Sequence, residues 1–384
     1  MGFFSGTKTI GILGGGQLGK MLLTTTRQWD INTKVLDPSN SAPAKIACNK
    51  FIQGDLMDFE TVVDFGSDVD VLTIEIENVN TDALAHLESA GIKVYPQASV
   101  LKTIQSKGLQ KQFYIDHSIP TAPFQRFKSK ALLKEAVLKG EISFPFVWKS
   151  ETMGYDGYGV QIVRSNQDLE MVFEGKCMAE EMVKIDKELS VIVCRSSNGE
   201  VACYPCVEME FHPTANQVEY VISPARVSST VAKNAEKMAL AVSEAFQHVG
   251  LLAVELFLTH EGELWVNEVA PRPHNSGHYT IEASYTTQFE QHIRAILDLP
   301  LGKTENKVAG VMVNIVGKEG YNGPVIYKNL EYILAIEGVH PHIYGKKETR
   351  PFRKMGHITI INEELEMARK IAEQVKETLE VISN

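Results

Sequence analysis

At 384 residues the chain is too long for one ordinary core, so two or three packed domains are expected. Its 44% hydrophobic and 22% charged residues fit a soluble globular protein, and no run approaches the roughly 20 apolar residues that a membrane span requires. The formal net charge of −10 excludes a general binder of nucleic acid or anionic membrane, so any anionic ligand must be met by local positive charge.

The start, Met1-Gly2-Phe3-Phe4-Ser5-Gly6, has no basic stretch followed by a long apolar one, and a cytoplasmic location is expected. Along residues 1–98 apolar runs alternate with helical patterns. Strands are predicted at 9–13, 34–36, 71–74 and 93–95, and helices at 17–28 and 81–90. That alternation predicts a parallel sheet with crossover helices. Residues 99–125 read as helical, with a hinge-like break at Pro120 and Pro123, and strand-rich sequence then runs to Val193. A helix at 231–248, strands at 252–258 and 264–269, a helix at 286–297, strands at 311–316 and 357–361 and a closing helix at 363–379 complete the chain.

Five cysteines, Cys48, Cys177, Cys194, Cys203 and Cys206, make no disulfide framework, and their odd number suits a reducing compartment. The Cys203-Tyr-Pro-Cys206 spacing falls inside a strand-like run at 201–209, without a helix start to activate a thiol.

Gly14-Gly15-Gly16-Gln17-Leu18-Gly19 follows a strand and opens a helix, and Asp37 stands where a ribose-binding carboxylate would. Amides at such a turn bind any anion, so a dinucleotide, the phosphate of another ligand, or tight packing alone would each account for the glycines. A second glycine loop, Gly154-Tyr155-Asp156-Gly157-Tyr158-Gly159, lies between strands at 146–149 and 160–163, with Lys149 at its base. It could close over nucleotide phosphates or be an ordinary surface hairpin. In the hairpin at 252–269, a tight turn at Glu261-Gly262 sets Glu255 opposite Glu268. Two carboxylates about 5 Å apart on apolar strands call for a cation. Magnesium bridging nucleotide phosphates is the natural candidate, with Asn267 adding a neutral oxygen. The loop at 270–279 is rich in donors for an anion or is a structural proline turn. Lys346, Lys347, Arg350, Arg353 and Lys354 concentrate positive charge near the C-terminus.

A lysine before a glycine lid, paired carboxylates on a later hairpin and a separate N-terminal anion-binding region resemble the ATP-grasp superfamily. The glycine motif with Lys20-Met21, Glu75-Ile76-Glu77-Asn78-Val79, Gly154-Tyr155-Asp156-Gly157, Val266-Asn267-Glu268, the 270–279 loop with its His274-Asn275-Ser276-Gly277-His278 block, and Arg353-Lys354-Met355-Gly356-His357 resemble, more narrowly, the 5-(carboxyamino)imidazole ribonucleotide synthase family of purine biosynthesis. The resemblance implies a mixed α/β and α+β ATP-grasp fold. Its parts would be a Rossmann-like pre-ATP-grasp domain at 1–102, an ATP-grasp domain at 103–300 with a lid at about 125–183, and a substrate-binding C-terminal domain at 301–384. It implies an ATP-dependent carbon–nitrogen ligase that carboxylates 5-aminoimidazole ribonucleotide with bicarbonate through carboxyphosphate, working with magnesium as a cytoplasmic homodimer.

Position by position, the resemblance assigns Lys107, Lys149, the lid residues Gly154, Tyr155, Asp156, Gly157, Tyr158, Gly159 and Val160, Glu180, Glu181, Met182, Val183, Glu188, His212, Asn267 and Glu268 to ATP. It assigns Glu255 and Glu268 to magnesium. Gln17, Glu77, Tyr155, Asp156, Lys346 and Arg353 go to the ribonucleotide, and Asp156, Arg272, His274 and Asn275 to the carboxylation site. Three positions depart from the family pattern: Tyr158 replaces a basic residue, Phe352 replaces glycine, and the stretch 208–212 is one residue longer. A nicotinamide-dependent oxidoreductase and a non-catalytic ATP-binding regulator are the competing classes.

Overall fold

The computed structural model describes residues 5–151 and 159–384. Strands β1 (Thr9–Leu13), β2 (Asn32–Asp37), β3 (Lys50–Gln53), β4 (Val71–Ile74) and β5 (Lys93–Tyr95) form a parallel sheet in the order β3-β2-β1-β4-β5. Helices α1 (Gln17–Gln28), α2 (Phe59–Gly66) and α3 (Thr81–Ser89) connect them. The inner strands are apolar on both faces because both are covered: Leu72 and Ile74 pack with α2 and α3, and Ile10 and Ile12 pack with α1. β3 is a strand that periodicity missed; its four residues are only partly covered.

The helical stretch after this sheet is two helices, α4 (Ala98–Ile104) and α5 (Lys107–Asp116), separated at Gln105-Ser106. Ser106 breaks the run because its hydroxyl accepts from the Leu109 amide (3.3 Å), a helix-starting cap. A second sheet follows, built from β6 (Phe124–Phe127), β7 (Phe146–Ser150), β8 (Val160–Val163) and β9 (Cys177–Glu181) in the order β6-β9-β7-β8. Helices α6 (Lys130–Leu138) and α7 (Asn166–Met171) share its core around Trp148, so this region is not purely strand-like. Both start at serine caps, Ser129 and Ser165, a signal present in the sequence but outweighed by the neighbouring strand residues.

The third sheet is antiparallel and has nine strands. Its first part contains β10 (Ile185–Arg195), β11 (Val201–Cys203), β12 (Val207–Phe211), β13 (Val218–Ser223), β14 (Gly250–Thr259) and β15 (Leu264–Ala270). Tyr204 and Pro205 split the expected run at 201–209 into β11 and β12, and burial pushes the thiols of Cys203 and Cys206 up, away from the thiolate form. Helix α8 (Ser229–Phe246) covers one face and stops at Gln247, which takes a left-handed φ of 49°. The short α9 (Thr280–Ala283) and α10 (Gln288–Ile296) come next.

The C-terminal strands β16 (Ala309–Val316), β19 (Val339–Ile343) and β21 (Lys354–Asn362) extend the same sheet, giving the order β15-β14-β10-β12-β13-β16-β21-β19 with β11 on β10. Two small pairings, β17 (Gly323–Pro324) with β20 (Glu348–Thr349) and β18 (Ile326–Lys328) with β22 (Glu380–Ile382), flank it. Helices α11 (Leu330–Leu334) and α12 (Leu365–Thr378) cover its end.

Helix α10 joins the regions. Its Phe289, Ile293 and Ile296 pack onto the β1 side of the first sheet. The Leu251 amide donates to His292 Nδ1 (3.3 Å), so Nε2 carries the proton toward Thr73 Oγ1 at 2.8 Å. No helix among the described residues is long and apolar enough to cross a membrane.

Candidate active site

The hairpin β14–β15 supplies the acidic wall. Its connection is three residues long, not two: Thr259 and Glu263 bracket His260, Glu261 and Gly262, and Gly262 takes a φ of 84°. The register therefore begins one step away from the expected one, with Leu256 opposite Val266, and is restored by a bulge before Val254 pairs with Val269. Across that bulge Glu255 faces both Asn267 and Glu268, so two consecutive residues of β15 point to the face that strict alternation would give to one. Val254 and Leu256, on either side of Glu255, are fully buried in the opposite face and hold the orientation.

The carboxylates are held by a lysine and a histidine of the chain itself. Lys107 Nζ lies 2.5 Å from Glu268 Oε2, and His274 Nε2 lies 3.3 Å from Glu255 Oε1. Burial pushes the Glu255 carboxyl up, reinforced by the charges of Glu268 and Glu188, whereas the Lys107 ammonium holds Glu268 down. Burial would lower Lys107, but Glu268, with Glu180 and Glu255, overcomes this and raises it. Glu188, on the neighbouring β10, is raised to about 7 by burial and by the Glu268 charge.

Lys149, on β7, ion-pairs with Glu180 Oε2 (2.7 Å) and donates to Asn267 Oδ1 (3.2 Å), which brings the second sheet onto the hairpin. Lys111, which sequence reasoning missed, holds the other Glu180 oxygen at 3.0 Å. Only its i, i+4 offset from Lys107 on α5 could have suggested it. Burial lowers Lys111 to about 8, and the two ammonium groups hold Glu180 below the usual carboxylate range despite its burial. Thus the Glu180 side chain turns inward, while Glu181 donates its amide to Pro123 O (2.9 Å), Met182 is exposed and Val183 is half-buried. Gly154, Tyr155, Asp156, Gly157 and Tyr158 lie outside the described residues; Gly159 follows them with a φ of 77°, and Val160 opens β8.

A second wall faces this one. Arg272 Nη2 pairs with Glu77 Oε1 at 2.8 Å, and Gln105 fixes the backbone of that connector through Glu77 O (2.7 Å) and Val79 O (2.8 Å). His274 Nδ1 lies 2.9 Å from Ser276 Oγ, which meets Ser190 on β10, and Asn275 exchanges hydrogen bonds with Asn314 (2.9 Å each way). Behind this loop the rings of His278, His357 and His342 stack at 4.5 Å, and His342 reaches Glu282 at 2.8 Å, tying the loop to β19 and β21. On that side Lys346 donates to Lys354 O and Arg353 to Glu348 O, each at 2.7 Å, while Lys347 and Arg350 are exposed.

His212 is not brought to the carboxylates. It sits at the β12–β13 connection, its Nδ1 accepting from the Thr214 and Ala215 amides, and its ring meets Phe352 edge-on at 5.5 Å. Phe352 adopts a φ of 60°, the left-handed region that favours glycine, and its contact with His212 brings together two of the three departures noted in the sequence.

The glycine turn at the head of α1 is the largest departure from expectation. Gly16 and Gly19 donate to Glu75 (2.7 and 2.8 Å) and Gly15 to Asp37 (2.7 Å), so three of its amides hold the chain's own carboxylates. Asp37 also accepts from the Ser39 amide. The seat a dinucleotide pyrophosphate would take, and the carboxylate its ribose would need, are both in use. Gln17 is half-buried at the first position of α1.

Residues 112–289 match the model of the ATP-grasp domain, residues 7–105 that of the ribonucleotide synthetase preATP-grasp domain, and residues 310–371 that of the phosphoribosylaminoimidazole carboxylase C-terminal domain. The N5-carboxyaminoimidazole ribonucleotide synthase of Bacillus subtilis is 39% identical over 362 residues, covering 92% of this chain and 91% of that protein. The chain belongs to the N5-carboxyaminoimidazole ribonucleotide synthase family. Among solved structures of that synthase family, the Thermotoga maritima enzyme superposes with a TM-score of 0.90 at 43% identity, covering 98% of this chain and all of that one. The Aspergillus clavatus N5-carboxyaminoimidazole synthase, solved with ADP and 5-aminoimidazole ribonucleotide, gives 0.88 at 32% identity, covering 97% and 98%. The chain spans 64 to 67% of the length of the yeast and plant phosphoribosylaminoimidazole carboxylases that it also matches. The synthase family is one of ATP-dependent ligases with the ATP-grasp fold, and the three sheets described above are that fold.

Proposed function

We propose that this chain carboxylates the amine of 5-aminoimidazole ribonucleotide, using ATP and bicarbonate and releasing ADP and phosphate. The observation that carries this reading is the convergence of Lys107, Lys149, Asn267 and Glu268 on one wall with the Glu77–Arg272 pair and His274 on the other. In the first step a bicarbonate oxygen attacks the γ-phosphorus of ATP and ADP leaves, giving carboxyphosphate. In the second the substrate amine attacks the carboxyl carbon, loses a proton and expels phosphate. Phosphoryl transfer of this kind depends on alignment and charge neutralisation more than on covalent catalysis.

Lys107 and Lys149 meet the ATP phosphates, Glu188 the ribose hydroxyls, and the backbone around Glu180, Glu181, Met182 and Val183 the adenine. Arg272, His274 and Asn275 orient bicarbonate and the carboxyl group, with Asp156 and Tyr155 of the glycine loop assigned to the same group. Gln17 and Glu77 hold the ribonucleotide base side, and Lys346 and Arg353 its phosphate.

Magnesium fits the hairpin: the donors Glu255, Asn267 and Glu268 are all oxygen, and the Lys107 ammonium and the His274 ring sit on the two carboxylates. Among the described residues no three His, Cys, Asp or Glu side chains group as a metal cage, so phosphate oxygens would complete its shell. When bound there it would neutralise charge on the nucleotide phosphates.

We read the chain as three domains, 1–102, 103–300 and 301–384, working as a cytoplasmic homodimer; the three separate family matches support the division. The test is ADP release with and without 5-aminoimidazole ribonucleotide, together with trapping of labelled bicarbonate in an acid-labile product under alkaline quench. Stoichiometric ADP without label uptake would refute carboxylation.

A further inference from the structure

The turn at 14–19 has the glycine spacing of a phosphate cradle, yet its glycines make room for a side chain. A Cβ on Gly16 would lie 2.6 Å from Glu75 Oε1, and one on Gly14 would lie 2.5 Å from Glu75 Cγ. Those gaps admit the carboxylate, whose two oxygens each take one amide of the turn (2.7 and 2.8 Å) while the residue is 8% exposed. The Glu75 backbone is fixed as well, its amide donating to Leu13 O at the end of β1 (2.9 Å). Asp37 takes the Gly15 amide from the other side. The positive end of α1 is thus neutralised from within, by groups on β4's exit and β2's end.

Glu75 is two residues from Glu77, whose carboxylate pairs with Arg272, and its amide partners flank Gln17 in the turn. We propose that Glu75 is a positioning residue, a resident anion that locks the glycine turn and thereby sets Gln17 and Glu77 against the ribonucleotide. This rests on the substrate placement proposed above. A buried residue kept only for packing would be replaced adequately by an isostere. A resident anion would not, because the side-chain amide introduced by Glu75→Gln would present N–H to one of the two backbone N–H donors.

The test uses the full-length enzyme with Glu75→Gln and Glu75→Ala. Loss of a charge-assisted hydrogen bond corresponds to about a tenfold or greater effect, so Glu75→Gln should raise the KM for 5-aminoimidazole ribonucleotide about tenfold and leave that for ATP unchanged. Glu75→Ala opens the seat. Formate should raise its melting temperature and lower its ribonucleotide KM, with no such effect on the unsubstituted enzyme or from chloride at equal ionic strength. Equal losses for both substrates, or no rescue by formate beyond chloride, overturn the proposal. Gln17→Ala and Glu77→Gln are measured alongside. If they raise the ribonucleotide KM while Glu75→Gln does not, the positioning role alone falls; if neither matters, the substrate placement falls with it.

Discussion

At the head of α1, backbone amides meet carboxylates delivered by β2 and the exit of β4, and the account closes within one sheet. On β14–β15 the carboxylates are instead met by Lys107 from α5 and His274 from the loop beyond the hairpin, side chains contributed by two other elements. A glycine-rich motif thus marks a site filled from within its own sheet, whereas a pair of glutamates marks one where side chains from separate elements converge. Motif spacing tells where charge must be balanced; only the partners tell whether a ligand is needed to do it.

Substitution on the hairpin should have the largest effect. Glu268→Gln should lower turnover by about 10²- to 10³-fold, as expected for removal of one electrostatic group at a phosphoryl-transfer site, while the thermal midpoint holds. Near-normal magnesium-dependent ADP release would erase the contrast with the glycine turn. On the substrate side, Arg353→Ala should raise the KM for the ribonucleotide by roughly ten- to more than a hundredfold, from the loss of roughly 1.5–3 kcal/mol, with ATP little affected. Steady-state kinetics with each substrate varied separately decide this, and a selective loss for ATP would move Arg353 to the nucleotide side.

His292 joins the two regions, His278 and His357 tie the loop beyond the hairpin to β21, and acid should loosen both joins. Burial holds His278 and His357 well below the ordinary imidazole range and His292 at about 3. Below about pH 6.5 the unfolded chain takes up protons that the folded one does not, so stability is full above that pH and falls as pH drops toward the folded values. Each histidine should cost up to about 1.4 kcal/mol per pH unit in that window, measured by denaturant unfolding at pH 7 and 5.5. A flat profile would mean that the seam opens to admit charge. The smallest effect is expected at Asp37. Replacing it by Ala should remove about 1 kcal/mol of stability, and neither form should bind a nicotinamide dinucleotide saturably in a fluorescence titration. Tight binding by the unsubstituted protein would show that the turn is not closed after all.

Much of this arrangement was legible from residues alone. The apolar runs at Thr9–Leu13 and Val71–Ile74 could hardly be anything but buried parallel strands, and the glutamates flanked by Val254, Leu256, Val266 and Val269 had to share a guarded face. The hairpin's true register was not legible, because the choice between a two- and a three-residue connection depends on Thr259 meeting Glu263 across the turn. Glu75 was visible as part of a family motif, but its bond to Gly16 spans 59 positions, and no local pattern reports it. Lys111 and the stack of His278, His357 and His342 were hidden for the same reason: each acts through a partner on a different element.

The bulge in β15 makes the hairpin unequally tolerant of changes in length. Its three-residue tip at 260–262 lies beyond the paired strands, and a Cβ added at Gly262 would meet nothing within 4 Å, so insertions at the tip should drift through evolution without moving a carboxylate. Removal of Asn267 or Glu268 would restore strict alternation with the survivor alone opposite Glu255 and Val266 and Val269 still in the apolar layer under α8, so one of the two oxygen donors would be lost. Natural variation in this family should therefore record gaps freely at the tip and almost never within those four positions.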